Sequence, residues 1–191
     1  MSEIPRRMAE LFSYMDETRQ RLIETAAAIN PTLASIRPRG GSWSIAEILE
    51  HLAKVEGGIA QLVERSIEWA RTHDIAPSSS DASIMASLDE FRLAQPVTKL
   101  TAPDIVTPLQ DATAEESLES LSRSRERLKA ALIGGADLEL TTVKRPHRVL
   151  GEIDMFQWAL FVAQHEERHR TQIERTIDEV TERAAECAPI V

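Results

Sequence analysis

Cysteine and long apolar runs are scarce in this 191-residue chain, and basic residues are outnumbered by acidic ones. The single cysteine, Cys187, excludes a disulfide framework and a cluster of thiolate metal ligands. No apolar run approaches the length of about 20 residues that a membrane-spanning helix needs. Lys and Arg number 22 against 31 Asp and Glu, and the resulting net charge of -9 repels phosphate backbones. The sequence therefore predicts a soluble protein with no membrane and no nucleic-acid partner.

The composition is otherwise that of an ordinary globular domain. Hydrophobic residues make up 42% and charged residues 28% of the chain. The length favours a single domain over residues 1–191. Residues 1–5 lack the charged-then-apolar order of a signal peptide, so we expect a cytoplasmic protein.

Four segments have apolar residues at three- and four-residue steps, the spacing of amphipathic helices. Capping boxes, in which two side chains reciprocally accept backbone N–H bonds at a helix start, support three of them. The boxes pair Ser44 with Glu47, Thr113 with Glu116 and Asp154 with Gln157. The four predicted helices run from Pro5 to before Asn30, from Ser44 to about Thr72, from Thr113 to Gly134 and from Asp154 to about Arg183.

The connections between these helices predict the topology. Residues 31–42 are rich in Pro and Gly and are expected to form a loop. The second and third helices are separated by roughly forty residues, with a short helix capped by Asp81 and ending near Phe91, and irregular chain around Pro96. A long connection can return to the starting end of a bundle. We therefore predict an all-α four-helix bundle with up-down-down-up topology and a long connection between its second and third helices.

Strand patterns are scarce. Residues 138–143 are the single candidate, too isolated to build a sheet, and residues 144–148 are expected to form a polar loop.

Three histidines fall at informative places. His51 lies at the edge of the apolar stripe of the second helix, whereas His165 and His169 are four residues apart on the apolar face of the last one. Two inward-facing imidazoles at that spacing can share one metal ion. The alternative is that all three are hydrogen-bonded core residues, but burying adjacent imidazoles without a ligand is unfavourable. His73 and His147 are expected on the surface.

The segment His165-Glu166-Glu167-Arg168-His169 also matches H-E-x-x-H, the pattern of zinc proteases in which the glutamate activates water. Gln172 stands where the extended form of that motif has glycine, and no sheet precedes the motif. The context therefore argues against a protease.

The run from Trp43 to Leu52 and the run from His165 to Ile173 together resemble the DinB/YfiT-like superfamily of four-helix metalloproteins. The resemblance extends over nearly the whole chain. It implies one divalent metal, commonly nickel or zinc, bound by His51, His165 and His169. Ligands that are all imidazole also suit manganese, iron and cobalt.

The same resemblance implies a range of activities. The superfamily includes transferases that use bacillithiol or mycothiol, a maleylpyruvate isomerase, and members without known activity. A low-molecular-weight thiol is therefore a candidate cofactor, and homodimers are common in this family. Fold membership predicts the metal better than the reaction.

The sequence leaves two functional hypotheses open. The first is a metal-dependent enzyme acting on a small molecule, of thiol S-transferase or hydrolase type, because three ligands leave a coordination position free. In it Glu166 is the candidate general base or support for the ligands, and Arg37 and Arg39 are the candidates for binding an anionic substrate. Glu166 also has a plainer interpretation as a surface charge paired with Arg170. The second hypothesis is a metal-binding helical module without catalysis, acting in stress response or assembly.

Overall fold

The computed structural model describes residues 4–94, 102–109 and 112–186. Four long helices dominate them, as predicted, and a short helix and a two-stranded hairpin complete the architecture. Pro96 and Cys187, which figured in the sequence analysis, lie outside the described residues. The helices are α1 (Arg6–Ala27), the short α2 (Pro31–Ala34), α3 (Ile45–Arg71), α4 (Ala114–Gly134) and α5 (Met155–Glu186), and the strands are β1 (Lys144–His147) and β2 (Gly151–Asp154).

Local capping signals determine where three of the long helices begin. The Ser44 hydroxyl accepts from the Glu47 amide at 3.2 Å, and the Glu47 carboxylate accepts from the Ser44 amide at 2.8 Å. Reciprocal pairs of the same kind start α4, at Thr113 and Glu116, and α5, at Asp154. These confirm the predicted helix starts, since each pair satisfies amides that have no partner inside the helix.

The contacts between helices establish the up-down-down-up arrangement. α1 and α5 run in the same direction, because Arg7 lies over Phe156 near both helix starts and Arg19 binds Glu166 further along both. α3 and α4 are also parallel, because Arg125 binds Glu56 and Arg71 donates to the carbonyl of Gly134 near both helix ends.

α3 is antiparallel to α5. Ile45, at the start of α3, packs in one cluster with Ile173 from the second half of α5. Val63, later in α3, packs in another cluster with Leu160 from the first half of α5. The long connection between α3 and α4 accounts for this topology, since it lets two consecutive helices run in the same direction.

The core consists of two apolar clusters with a polar layer between them. The larger cluster fills the end of the bundle where α1 and α5 begin, and the smaller one fills the end where α3 begins. Buried polar side chains occupy the intervening level on all four long helices. They are Thr18 and Arg19 on α1, Glu56 on α3, Ser124 and Arg125 on α4, and Glu166 on α5.

The predicted short helix from Asp81 to Phe91 is wrong. The described residues there form turns and a single 3₁₀ turn, Asp89–Phe91. Asp81 instead caps α1, because its two carboxylate oxygens accept from the amides of Arg6 at 3.0 Å and Arg7 at 2.9 Å. Pro5 gives α1 no side-chain cap of its own, so the long connection supplies it.

The strand prediction is also wrong in its position. Residues 138–143 form turns, with one isolated bridge between Leu138 and Pro77, whereas the expected polar loop contains β1. β1 pairs with β2 in an antiparallel hairpin with Lys144 opposite Asp154 and His147 opposite Gly151. The expected loop at residues 31–42 likewise contains α2, capped by Asn30, whose side chain accepts from the Thr32 amide at 2.8 Å.

None of the helices in the described part of the chain combines the length and the apolar character that crossing a bilayer requires.

Glu139 ties the connection after α4 to α1. Its carboxylate accepts from the Ser79 amide at 3.0 Å, from the Thr141 hydroxyl at 2.7 Å and from the buried guanidinium of Arg7 at 3.3 Å. Burial raises the pKa of Glu139, but these hydrogen bonds and the Arg7 charge outweigh it and lower the pKa from 4.5 to about 2. The carboxylate therefore stabilises the folded state at neutral pH.

We expect Asp81→Ala to lower the free energy of unfolding by about 1 to 2 kcal/mol, because the first amides of α1 lose their acceptors. Urea denaturation followed by circular dichroism measures the change. Asp81→Asn keeps one carbonyl oxygen and should lose less. An alanine variant as stable as the parent protein would contradict the capping role.

Stability should also depend on pH through Glu139. The folded-state pKa lies below the unfolded one, so the contribution is complete above about pH 4.5 and is lost as the pH falls towards 2. Comparing urea unfolding of the parent and Glu139→Gln at pH 7 and pH 3, we expect the difference in stability to shrink at the lower pH. An equal difference at both values would exclude this linkage.

Candidate metal centre

His51 lies in the second turn of α3 and is buried, with 4% of its surface exposed. Its Nδ1 donates to the carbonyl oxygen of Val106 at 2.8 Å. Because a carbonyl only accepts, the proton of the neutral ring is on Nδ1 and the lone pair is on Nε2. The Trp43 ring, 5.0 Å away between centroids, packs against the same imidazole.

His165 and His169 are one turn apart on α5, and their Nε2 atoms are separated by 3.2 Å. The Nδ1 of His169 donates to Oε1 of Gln172 at 2.8 Å, which again leaves a lone pair on Nε2. The His51 ring lies 5.3 Å from the His165 ring and 5.0 Å from the His169 ring, between centroids. The structure thus brings together the three histidines that the sequence singled out.

The arrangement of these nitrogens fits one shared cation. One ligand atom from each of the three residues lies within 4.8 Å of the other two. Two nitrogens at about 2.1 Å from one ion, with ligand angles of about 90 to 110°, lie about 3.0 to 3.4 Å apart. The 3.2 Å separation between His165 and His169 falls in that interval. Hydrogen bonds that hold the outer nitrogen of a ligand ring are the usual support of such sites.

Electrostatics keep all three imidazoles neutral. Burial is the main cause that lowers the pKa of each, and it brings the pKa of His169 to about 3. The neighbouring histidines lower the pKa of His165 further, and the nearby cation of Lys54 acts on His51 in the same direction. At pH 7 protons therefore do not compete for the nitrogen lone pairs.

Residues 106–109 lie along α3 beside His51 and are held there by three hydrogen bonds to residues 50–54. Besides the bond from His51 to Val106, Lys54 donates to the carbonyl of Thr107 at 3.0 Å, and the Leu109 amide donates to Glu50 at 2.8 Å. Sequence reasoning missed this segment because backbone acceptors leave no trace in residue identity.

A ring of four buried charges lies next to the imidazoles, with one member from each long helix. Arg19 binds Glu56 and Glu166, each at 2.5 Å, while Arg125 binds Glu56 at 2.6 Å and Glu166 at 2.5 Å. The two carboxylates and two guanidiniums alternate, so the charge ring is neutral as a whole. Arg125 also donates to the carbonyl of Met15.

Sequence analysis missed Arg19, Glu56 and Arg125, although a signal was present. Each member of the charge ring lies four positions after an apolar residue on the core-facing side of its helix. Arg19, Glu56 and Arg125 also lie three positions before another apolar residue on that side. Charged residues in the core-facing positions of several helices, equal in number and opposite in sign, indicate buried pairing. The preceding stripe residues are Met15, Leu52, Leu121 and Val162.

The charge ring corrects the interpretation of Glu166 as a surface charge paired with Arg170. Only 2% of Glu166 is exposed, and Arg170 instead binds Glu167 at 2.8 Å and Glu174 at 2.5 Å. A small cavity of about 10 Å³ lies between Glu166, Glu56 and His165. That volume is about the size that one water molecule needs.

The other residues that the sequence analysis considered do not belong to the group of candidate ligands. Arg37 forms a bidentate pair with Glu47, and Arg39 pairs with Glu186. His73 is exposed, as predicted. His147 is only partly exposed, because its ring packs against Trp158 at 5.1 Å and Phe161 at 4.6 Å between centroids.

A four-helix bundle in which three imidazoles from two helices converge fits the class of helical metal-binding proteins. The chain belongs to the DinB superfamily, whose DinB_2 family model matches residues 14–173. It is also 28% identical over 149 residues to the uncharacterized protein YuaE of Bacillus subtilis (strain 168), an alignment that covers 78% of this chain and 85% of that protein. No solved structure matches the chain significantly.

Removing one member of the charge ring should be costly. We expect Glu166→Ala to lower the free energy of unfolding by about 3 to 5 kcal/mol, because two buried guanidiniums lose a partner. The matched control is its neighbour Glu167→Ala, where a part-exposed pair should cost about 1 kcal/mol or less. Guanidinium denaturation at pH 7 compares the two, and equal losses would refute the importance of the buried ring.

Proposed function

We propose that this protein is a metal-dependent enzyme acting on a small molecule, of thiol S-transferase or hydrolase type, with His51, His165 and His169 as ligands of one divalent ion. The observation that carries the proposal is the convergence of three neutral imidazoles, two of which have their Nδ1 protons engaged by Val106 and Gln172. Nickel and zinc are the first candidates, and manganese, iron and cobalt also suit the donor set.

Three protein ligands support a catalytic assignment, because structural zinc sites are usually closed by four. A bound ion of this kind lowers the pKa of a coordinated water to about 7 or holds a thiol as the thiolate. The cluster of candidate ligands found in the described residues contains histidines only. A low-molecular-weight thiol, which the resemblance to the superfamily implies as a cofactor, is also part of the proposal.

The residues around the ligands orient them. Val106 and Gln172 fix the rings of His51 and His169, and the charge ring fixes the backbone of α5 beside His165. Because arginines bind both carboxylate oxygens of Glu166, we assign this residue a supporting role and not that of a general base. Arg37 and Arg39 are engaged by other carboxylates, and the proposal assigns substrate binding to neither.

One observation favours the second candidate, a metal-binding module without catalysis. The cavity beside His165 has a volume of about 10 Å³, too small for a substrate. The two candidates differ in whether an added ligand reaches the ion. Azide or a thiol added to the cobalt-loaded protein should change its visible spectrum if a coordination position is open, and should leave it unchanged if the site is closed.

We expect about one equivalent of nickel or zinc per chain in untagged protein after reloading, and almost none in His165→Ala, because two imidazoles hold a divalent ion far more weakly than three. Elemental analysis after gel filtration gives the ratio. The control is His73→Ala, which changes an exposed histidine at the end of α3 and should bind as much metal as the parent.

Absence of metal from the reloaded parent protein would refute the proposed function. A parent that binds metal justifies a screen of thiols with electrophilic substrates, and of hydrolase substrates, in the same preparations.

A further inference from the structure

Residues 103–109, which we call the strap, cross α3 next to His51. The strap belongs to the long connection between α3 and α4 and includes a single 3₁₀ turn, Asp104–Val106. It contributes no residue to the group of candidate ligands found in the described part of the chain. It nevertheless touches the metal centre, because the carbonyl of Val106 accepts the Nδ1 proton of His51.

Two further polar contacts hold the strap to the same side of α3. Lys54 donates to the carbonyl of Thr107 at 3.0 Å, and Glu50 accepts from the amide of Leu109 at 2.8 Å. Lys54 and Glu50 are themselves paired, with 2.6 Å between Nζ and Oε1. The strap is thus fixed by a ligand histidine and by an ion pair that lies on either side of that histidine in the sequence.

Apolar burial does little to keep the strap in place. Ile105 is 87% exposed and Leu109 is 70% exposed, whereas Pro108 is buried. Burial of apolar surface is the main force that holds a segment against a helix, and segments with few buried apolar contacts open most easily. The docked position of the strap therefore depends chiefly on its three hydrogen bonds to α3.

A metal ion on His51 would favour the docked strap. If Nε2 binds the ion, the proton of the neutral ring must be on Nδ1, and the charge of the ion makes this N–H a stronger donor. Val106 supplies the acceptor that the structure shows for it. The docked strap in turn holds the His51 ring in the orientation that directs Nε2 to the other two histidines. Two events that favour the same state must strengthen each other to the same extent.

We propose that docking of the strap and metal binding are coupled through His51, with Lys54 and Glu50 as positioning residues that act on this ligand by holding the strap. The inference rests on the proposed function, since it needs an ion held by the three histidines. It adds two residues that affect metal affinity without being ligands, and a surface segment whose stability depends on metal loading.

Two pairs of variants remove contacts of the strap without touching a ligand. Leu109→Pro deletes the amide that donates to Glu50, and Leu109→Ala is its matched control, because it truncates the same exposed side chain and keeps the amide. Lys54→Met deletes the donor to Thr107 and keeps the apolar stem. Lys54→Arg is the conservative variant, which keeps a cationic donor.

The experiment uses the full chain and zinc alone, with two measurements. Competition with a chromophoric chelator gives the zinc affinity, and hydrogen–deuterium exchange with mass spectrometry gives the protection of the strap. Zinc should slow exchange of the strap about tenfold in the parent, a coupling of ordinary size. Residues 78–88, which lie in the same connection but cap α1, are the internal control and should show no change.

The variants should separate by the contact that they remove. We expect Leu109→Pro and Lys54→Met to bind zinc about fivefold more weakly than the parent and to gain less protection of the strap at saturating zinc. Leu109→Ala should match the parent, and Lys54→Arg should recover most of the affinity lost in Lys54→Met. A merely structural role of these contacts would lower stability with and without zinc, but it would not reduce the protection that zinc adds.

The outcomes distinguish this inference from the proposed function. Failure of the parent to bind zinc would overturn both. Zinc binding that leaves exchange of the strap unchanged, or that slows residues 78–88 equally, would overturn the coupling and leave the metal centre standing. Equal zinc affinity of Leu109→Pro and Leu109→Ala, with Lys54→Met equal to the parent, would overturn the positioning role in the same way.

Discussion

The charge ring of Arg19, Glu56, Arg125 and Glu166 is the interaction on which the rest of the bundle depends. Each long helix contributes one member, so no pair of helices can slide by a turn without leaving a buried charge unpaired, which is far more costly than a shifted apolar contact. Apolar packing alone tolerates such shifts better than a polar network does. The ring therefore determines the register in which two apolar clusters form on either side of it, and it places the neighbouring His165 opposite α3.

The histidine cluster uses the register that the ring enforces. The Nδ1 protons of His51 and His169 are engaged by a backbone carbonyl and a side-chain amide, so the lone pairs of both rings are directed to the same place before any ion arrives. Preorganised ligands lose little conformational freedom on binding. The supports come from outside the helical core in one case and from the same helix in the other. α3 and α5 thus position the rings, while Val106 and Gln172 orient those of His51 and His169.

Much of this architecture could be predicted from the sequence because its signals are local. Capping boxes and apolar periodicity depend on residues within a turn or two of each other. They predicted the four long helices and the positions of His51, His165 and His169 on the apolar faces of two of them. Features formed by distant residues were missed: Asp81 caps a helix 75 residues away, and β1 is a strand because of its pairing with β2, although Pro146 and its polar neighbours resemble a loop. The partial burial of His147 against α5 was missed for the same reason, since the hairpin that carries it was not foreseen. The homodimer, the cytoplasmic location and the single-domain organisation stay predictions.

The order in which the members of the ring occur along the chain has a consequence for biosynthesis. A ribosome releases Arg19, Glu56 and Arg125 before Glu166, so a nascent chain that contains α1, α3 and α4 but lacks α5 carries two guanidiniums against one carboxylate at the level that will become buried. Collapse around that excess charge is unfavourable, because an unpaired ion resists leaving water. The unpaired charge thus opposes packing of the first three long helices against one another before α5 has been synthesised. The helix that balances the charge is also the one that brings two of the three imidazoles, so compaction and completion of the histidine cluster coincide.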